Sequence, residues 1–178
     1  KDDVLGTIEW GDEPETVLSK LKDSLLEKMR SYESLQHDRV KMQEVRQRVL
    51  GKIDTIESTY DTIEKDSGDY RTSVISDEIR RTGDDSVLRV KDPNAQRFFI
   101  FQNDKLYKLI VAYNYDYLDN ISFKEFLIQT GRKYGQPESI RYSTTVTGEK
   151  RLNTALWPGS STDLKVQNYR DYFNTYIM

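Results

Sequence analysis

The chain has 178 residues, 36% hydrophobic and 32% charged, with a formal net charge of −3 and a mean hydropathy of −0.77. That length holds one domain, with or without an appendage, and that polarity fits a small core plus a solvated helical arm. No strongly basic stretch is present, which sets nucleic-acid binding aside. The absence of Cys and the single histidine, His37, exclude disulfides, thiolate chemistry, Cys-ligated metals and His-rich metal sites.

The chain opens Lys1-Asp2-Asp3 without a methionine or a signal-peptide pattern, as a processed or excised chain would. Residues 4–10 read as a short leader strand. Gly11-Asp12-Glu13-Pro14-Glu15 then reads as a helix start, with Asp12 as cap, Glu15 at the capping-box distance and Pro14 tolerated in the first turn. Leu18, Leu21, Leu25, Met29 and Tyr32, with Leu26 beside them, form a narrow apolar stripe at steps of three and four. Residues 34–38 interrupt it. Met42, Val45, Val49, Ile56, Tyr60 and Ile63, with Ile53 adjacent, make a second stripe, and spacing near 3.5 residues favours a coiled-coil seam. Two such helices joined by a short break are expected to fold back as an antiparallel hairpin. The second, of about 27 residues, would be roughly 40 Å long. Gly51 inside it marks either a close helix approach or simple weakening.

Asp66-Ser67-Gly68-Asp69 ends the helical pattern, and the period changes to two. Residues 70–79, 86–91, 97–101 and 106–113 read as strands of an antiparallel meander, with turns at residues 82–85, 92–94 and 102–105. Ser122-Phe123-Lys124-Glu125 is a capping box with an Ile121–Phe126 staple, so a helix should run to about Tyr134, where Gly135 and Pro137 stop it. Residues 139–178 read as three or four more strands, with Trp157 just before the Pro158-Gly159 turn.

The expected fold is therefore α+β. Residues 1–68 hold a leader strand and a long helical hairpin, and residues 69–178 a mostly antiparallel sheet of six or seven strands with one further helix. The two parts form one structural unit, because a sheet of this kind buries one face against helices.

No chemistry-bearing pattern emerges. There is no Gly-x-Ser-x-Gly, no glycine-rich phosphate loop and no histidine near a strand–helix turn. Asp84-Asp85 and the set Asp116, Asp119 and Asn120 fall in turns, where such residues are ordinary, and the latter lacks the spacing of a calcium loop. The run Phe98-Phe99-Ile100-Phe101 lacks the glycines of an RNA-recognition strand and reads as buried sheet. No catalytic residue, cofactor or metal is assigned. The candidate contact residues are Met42, Val45, Val49, Ile56 and Tyr60 on the second stripe, and Tyr113, Tyr115 and Tyr117, which at period two would line one strand face.

Gly6-Thr7-Ile8-Glu9-Trp10-Gly11-Asp12, the charged hairpin, the strand pair at residues 98–101 and 106–108, Tyr134-Gly135-Gln136-Pro137 and the later Trp157 together carry a resemblance. In these motifs the chain resembles a poorly characterised family of envelope-associated domains from gliding and predatory proteobacteria. The resemblance implies a place in the periplasm or cell envelope, with the cytoplasm as the alternative, and an accessory role with no catalytic residues to carry over. The expected function is a non-enzymatic protein-interaction or scaffold domain that contacts another protein or self-associates through the hairpin. The alternatives are a binder of a small apolar or lipid ligand between hairpin and sheet, and an enzyme with an unrecognised site.

Overall fold

The computed structural model describes residues 5–32, 38–63, 73–79, 83–145, 147–173 and 175–178. It is an α+β structure built on one eight-stranded antiparallel sheet, with the order β1-β2-β3-β4-β8-β7-β6-β5. In chain order the elements are α1 (Pro14–Arg30), α2 (Arg39–Glu57), β1 (Asp61–Ile63), a 3₁₀ turn (Ser76–Glu78), β2 (Asp85–Lys91), β3 (Ala95–Gln102), β4 (Lys105–Tyr113), α3 (Tyr115–Leu118), α4 (Phe123–Tyr134), β5 (Ser139–Thr144), β6 (Lys150–Trp157), β7 (Leu164–Asn168), α5 (Arg170–Phe173) and β8 (Tyr176–Ile177). The sheet thus has two meanders, β1 to β4 and β5 to β7, with β8 between them.

Alternation along β4 assigns the layers. Leu109 packs with Val17, Leu21, Ile53 and Ile56 of α1 and α2, and Tyr113, on the same side of the strand, packs with Phe126 and Leu127 of α4. Ile110 and Ala112 point the other way, into a cluster with Ile63, Ile75, Ile79 and Ile177. The long helices therefore cover one face. The segment around the 3₁₀ turn covers part of the other.

Several sequence expectations are corrected. The leader forms turns, not a strand: Leu5 and Ile8 tuck into the core under the helices, and residues 11 and 12 bond to the start of β4, Gly11 N–H to the Leu106 carbonyl at 2.8 Å and Leu106 N–H to the Asp12 carbonyl at 2.9 Å. Asp12 does not cap α1. Its carboxylate accepts from the Glu9 amide and the Lys20 ammonium, at 2.8 Å each, and α1 begins on Pro14 without a side-chain cap. Asp38 does cap α2, accepting from the Val40 and Lys41 amides.

The helix α2 has 19 residues, about 28 Å rather than 40 Å. Past its end Thr59 meets the neighbouring sheet strand: its hydroxyl accepts from the Arg89 amide at 2.9 Å and lies 2.6 Å from the Ile56 carbonyl in the last helical turn. Tyr60 lies past the helix end and Ile63 is already in β1, so the sheet begins before the boundary expected near residue 68. The strand expected over residues 70–79 is instead a turn and a 3₁₀ segment over its described part, 73–79. The spacing that suggested a strand serves to place Val74, Ile75 and Ile79 on the sheet. The break at residues 34–38, including His37, lies outside the described residues except for Asp38. The expectation of six or seven strands gives way to eight.

The helical layer makes three separable stability predictions. Ile56 is buried against the sheet, so Ile56→Ala should lower unfolding free energy by about 3 kcal/mol, whereas Val40→Ala at the 70% exposed Val40 should change it by less than about 0.5 kcal/mol. A Cβ built on Gly51 meets nothing within 4 Å, which removes the close-approach reading. Gly51→Ala should therefore stabilise by about 0.5–1 kcal/mol. Urea unfolding of the three variants checks all of these.

Candidate functional site

The contact residues expected from the sequence are scattered by the fold. Met42, Val45 and Val49 are half-buried along α2. Ile56 is buried and offers nothing to a partner. Tyr60 is 37% exposed, but its hydroxyl donates to Ser86 Oγ at 3.0 Å and its ring edge meets Phe101. The tyrosine row does not form, because the chain leaves β4 at Tyr113 and turns helical over Tyr115–Leu118. Tyr113 and Tyr117 instead stack at 5.8 Å, and Tyr113 meets Phe126 edge-on at 5.0 Å. Burial pushes the Tyr113 hydroxyl up to about 12, helped by the neighbouring Tyr117 and Tyr134. It is half-buried and packs against the core under α4. Tyr115 stands apart, exposed and hydrogen-bonded to Asp119, which raises its hydroxyl pKa.

A different surface gathers exposed apolar groups. The helix α4 is set by its caps: Ser122 Oγ accepts from the Glu125 amide, and the Glu125 carboxylate accepts from the Ser122 amide. Its other end is pinned where Trp157 Nε1 donates to the Gly135 carbonyl at 2.8 Å. So held, Phe123, Phe126 and Leu127 cover Ala155, Trp157, Leu164, Val166 and Tyr176. They do not reach β5. All six residues of β5 are exposed, although Ile140 stands opposite the buried Ala155 and Tyr142 opposite Leu152, both on the helix side of the sheet.

The result is a groove of about 730 Å³ between α4 and β5, with Leu127, Ile128, Pro137, Ile140, Tyr142 and Leu152 as its apolar lining. Ile128, Ile140 and Tyr142 are 50%, 47% and 63% exposed. Its charged lining is Lys124, Arg132 and Lys150, with no acidic residue among them. Lys124, Ile128 and Arg132 follow at steps of four, so they form one row along α4. Gly131 also lines the groove, and a Cβ there would meet nothing within 4 Å. A helix-interior glycine costs about 1 kcal/mol against alanine; here it leaves the groove floor low.

A second concavity passes through the sheet itself. Because β8 is two residues long, β4 and β7 part below it and leave a cavity of about 230 Å³. Its lining comes from both faces, with Leu5, Trp10, Leu109 and Leu164 on the helix side and Ile110, Lys108, Lys165 and Glu78 on the other. The leader closes its far end, where Trp10 Nε1 donates to Thr162 Oγ1 at 2.7 Å. Glu78 accepts from Lys108 at 2.9 Å and from Lys165 at 2.5 Å, tying β4 to β7 across the gap. Burial alone would raise the Glu78 carboxyl, but the two ammonium groups outweigh it and hold it below its ordinary 4.5.

Among the described residues no group of three His, Asp or Glu side chains is placed to hold a metal ion, and no helix is long and apolar enough to cross a membrane. Comparison with known protein families, with characterised proteins and with solved structures returns no match.

Sequence reasoning missed the groove, though a signal was present. Ile128 lies off the stripe formed by Phe123, Phe126, Leu127 and Thr130, so it is an apolar residue that α4 does not need for packing. Ile140 and Tyr142 alternate with Ser139, Arg141 and Ser143, which marks one apolar strand face without saying whether anything covers it.

The Glu78 bridge yields a pH prediction. Folding lowers this pKa, so the folded chain binds fewer protons there than the unfolded chain, and the contribution is complete above pH 4.5 and fades as pH falls through the lower folded value. Glu78→Gln should cost about 2 kcal/mol at neutral pH, leaving two ammonium groups around an amide. That deficit against the parent should shrink below about pH 4, as measured by urea unfolding across pH.

Proposed function

We propose that this chain is a non-enzymatic protein-interaction domain whose contact surface is the α4–β5 groove. The observation that carries the reading is the coincidence, on one side of the sheet, of three exposed large apolar side chains with a six-residue strand that, among the described residues, pairs on one side only. Apolar groups scattered singly are ordinary on a protein surface, whereas a contiguous apolar patch with a polar rim marks an interaction site. The helical pair α1 and α2, read as an antiparallel hairpin, serves in this account mainly to cover the sheet. Membership of a bacterial cell-envelope assembly, in the periplasm or at the envelope, is supported by the motif resemblance alone.

A second reading, a small apolar ligand, is favoured by the cavity between β4 and β7. Its place differs from the one expected between hairpin and sheet, for it lies beneath the leader, and 230 Å³ suits a ligand smaller than the pockets of roughly 300–1,000 Å³ that take drug-sized molecules.

Site-specific photo-crosslinking in the cells that make the protein tests the main reading. A benzophenone side chain placed at Ile128 or Ile140 should give discrete adducts, and one at Val40, which is more open to solvent than either, should not. Adducts at Val40 alone, or equal labelling at all three positions, would contradict it.

A further inference from the structure

Resting on the reading above, we propose that the α4–β5 groove takes an acidic, amphipathic stretch of polypeptide that adds to the sheet as a strand along the outer edge of β5. The two edges of the sheet are unequal. One is β1, with three residues, and the other is β5, with six. Proteins blunt long exposed edges with proline, charge, bulges or a covering element. In β5 there is no proline, Arg141 is the one charged residue, and the single register irregularity adds its extra residue to β6, at Asn153, rather than to the open edge. Alternate residues of β5 therefore offer N–H and C=O groups outward in strand geometry.

Side chains fix which kind of strand fits. A strand paired to β5 continues its pleat, so every second side chain enters the groove beside Ile140 and Tyr142, opposite the α4 row of Lys124, Ile128 and Arg132. Those positions call for apolar groups. Charge then selects among apolar strands. Lys124, Arg132 and Lys150 line the groove, none of them ion-paired among the described residues, and Arg141 projects from the opposite face of β5, where the intervening side chains of an added strand would lie. This locally cationic edge belongs to a chain of net charge −3, so it does not follow from the overall composition. A strand that puts apolar groups in the groove puts its intervening carboxylates on the Arg141 face, within the field of Lys124, Arg132 and Lys150, whereas a basic strand meets like charge there. A second copy of this chain, pairing β5 with β5 about Arg141, would set like charges opposite each other and is disfavoured.

The test uses the whole chain and a fluorescein-labelled ten-residue peptide that alternates valine with glutamate, read by fluorescence anisotropy. Three comparisons accompany it: lysine in place of glutamate, N-methylation of the alternate backbone amides, and the same titration against Gly131→Leu and Ile140→Asp. Gly131→Leu fills the groove while removing a helix glycine, so it leaves folding intact even if Ile140→Asp does not. The expected result is at least tenfold tighter binding of the glutamate peptide than of the lysine peptide. Binding should weaken with added salt, and should fall at least tenfold on N-methylation and in Gly131→Leu. Equal binding of the two charge types, or indifference to N-methylation, would overturn the proposal, as would peptide binding unchanged in Gly131→Leu. If no peptide binds while crosslinks at Ile140 persist in cells, the acidic strand is wrong and the interaction surface stands. If both fail, both fall.

Discussion

The structure depends on a seam of three residues. Tyr176, Ile177 and Met178 are what join the two meanders into one sheet: Ala112 stands opposite Ile177, Val111 and Met178 exchange backbone hydrogen bonds at 2.8 and 3.0 Å, and Gln167 and Asn168 pair from the other side. The side chains of the seam are divided between the layers. Tyr176 enters the cluster under α4, where its hydroxyl donates to the Ile121 carbonyl at 3.0 Å, while Ile177 enters the cluster on the opposite face. Thr175 adds a further tie by donating to the Tyr113 carbonyl. Two short-range meanders are thereby held by a contact of long sequence separation, and the position of α4 over the second meander follows from it.

The same seam explains the two concavities. A strand as short as β8 cannot separate β4 from β7 along their whole length, so the sheet opens below Met178 and the Glu78 carboxylate bridges the opening with Lys108 and Lys165. At the far edge, α4 is centred over β6 to β8 by Phe123, Phe126 and Tyr176, and it is too narrow to shelter β5 as well. The groove is thus a consequence of one helix covering a four-stranded half-sheet, whereas α1 and α2 together cover the other half.

Much of this was legible in the sequence where local chemistry decides the outcome. The capping box at Ser122 and Glu125, the stop at Gly135, the meander from β2 to β4 and the turn after Trp157 all appear where side-chain type and spacing placed them. The failures share a cause. Tyr60 and Ile63 continue the spacing of α2 although the backbone has already turned into sheet, where Thr59 bonds to Arg89, thirty positions along the chain. Ile75 and Ile79 sit on the sheet without being strand, and Tyr115 and Tyr117 follow Tyr113 at period two although the strand ends there. Periodicity reports which residues face an apolar surface; it does not report the backbone that brings them there. The α4–β5 groove was illegible for a related reason, since exposure of Ile140 depends on the breadth of a helix packed over strands far along the chain.

Native-state hydrogen exchange on the isolated chain tests the central claim, a single sheet locked at β8 with β5 left open, more directly than any substitution. The account predicts that the Val111 and Met178 amides exchange among the slowest in the molecule, while the outward amides of β5 exchange orders of magnitude faster. Seam amides that exchange as fast as those of β5, or a β5 protected along both edges, would contradict it.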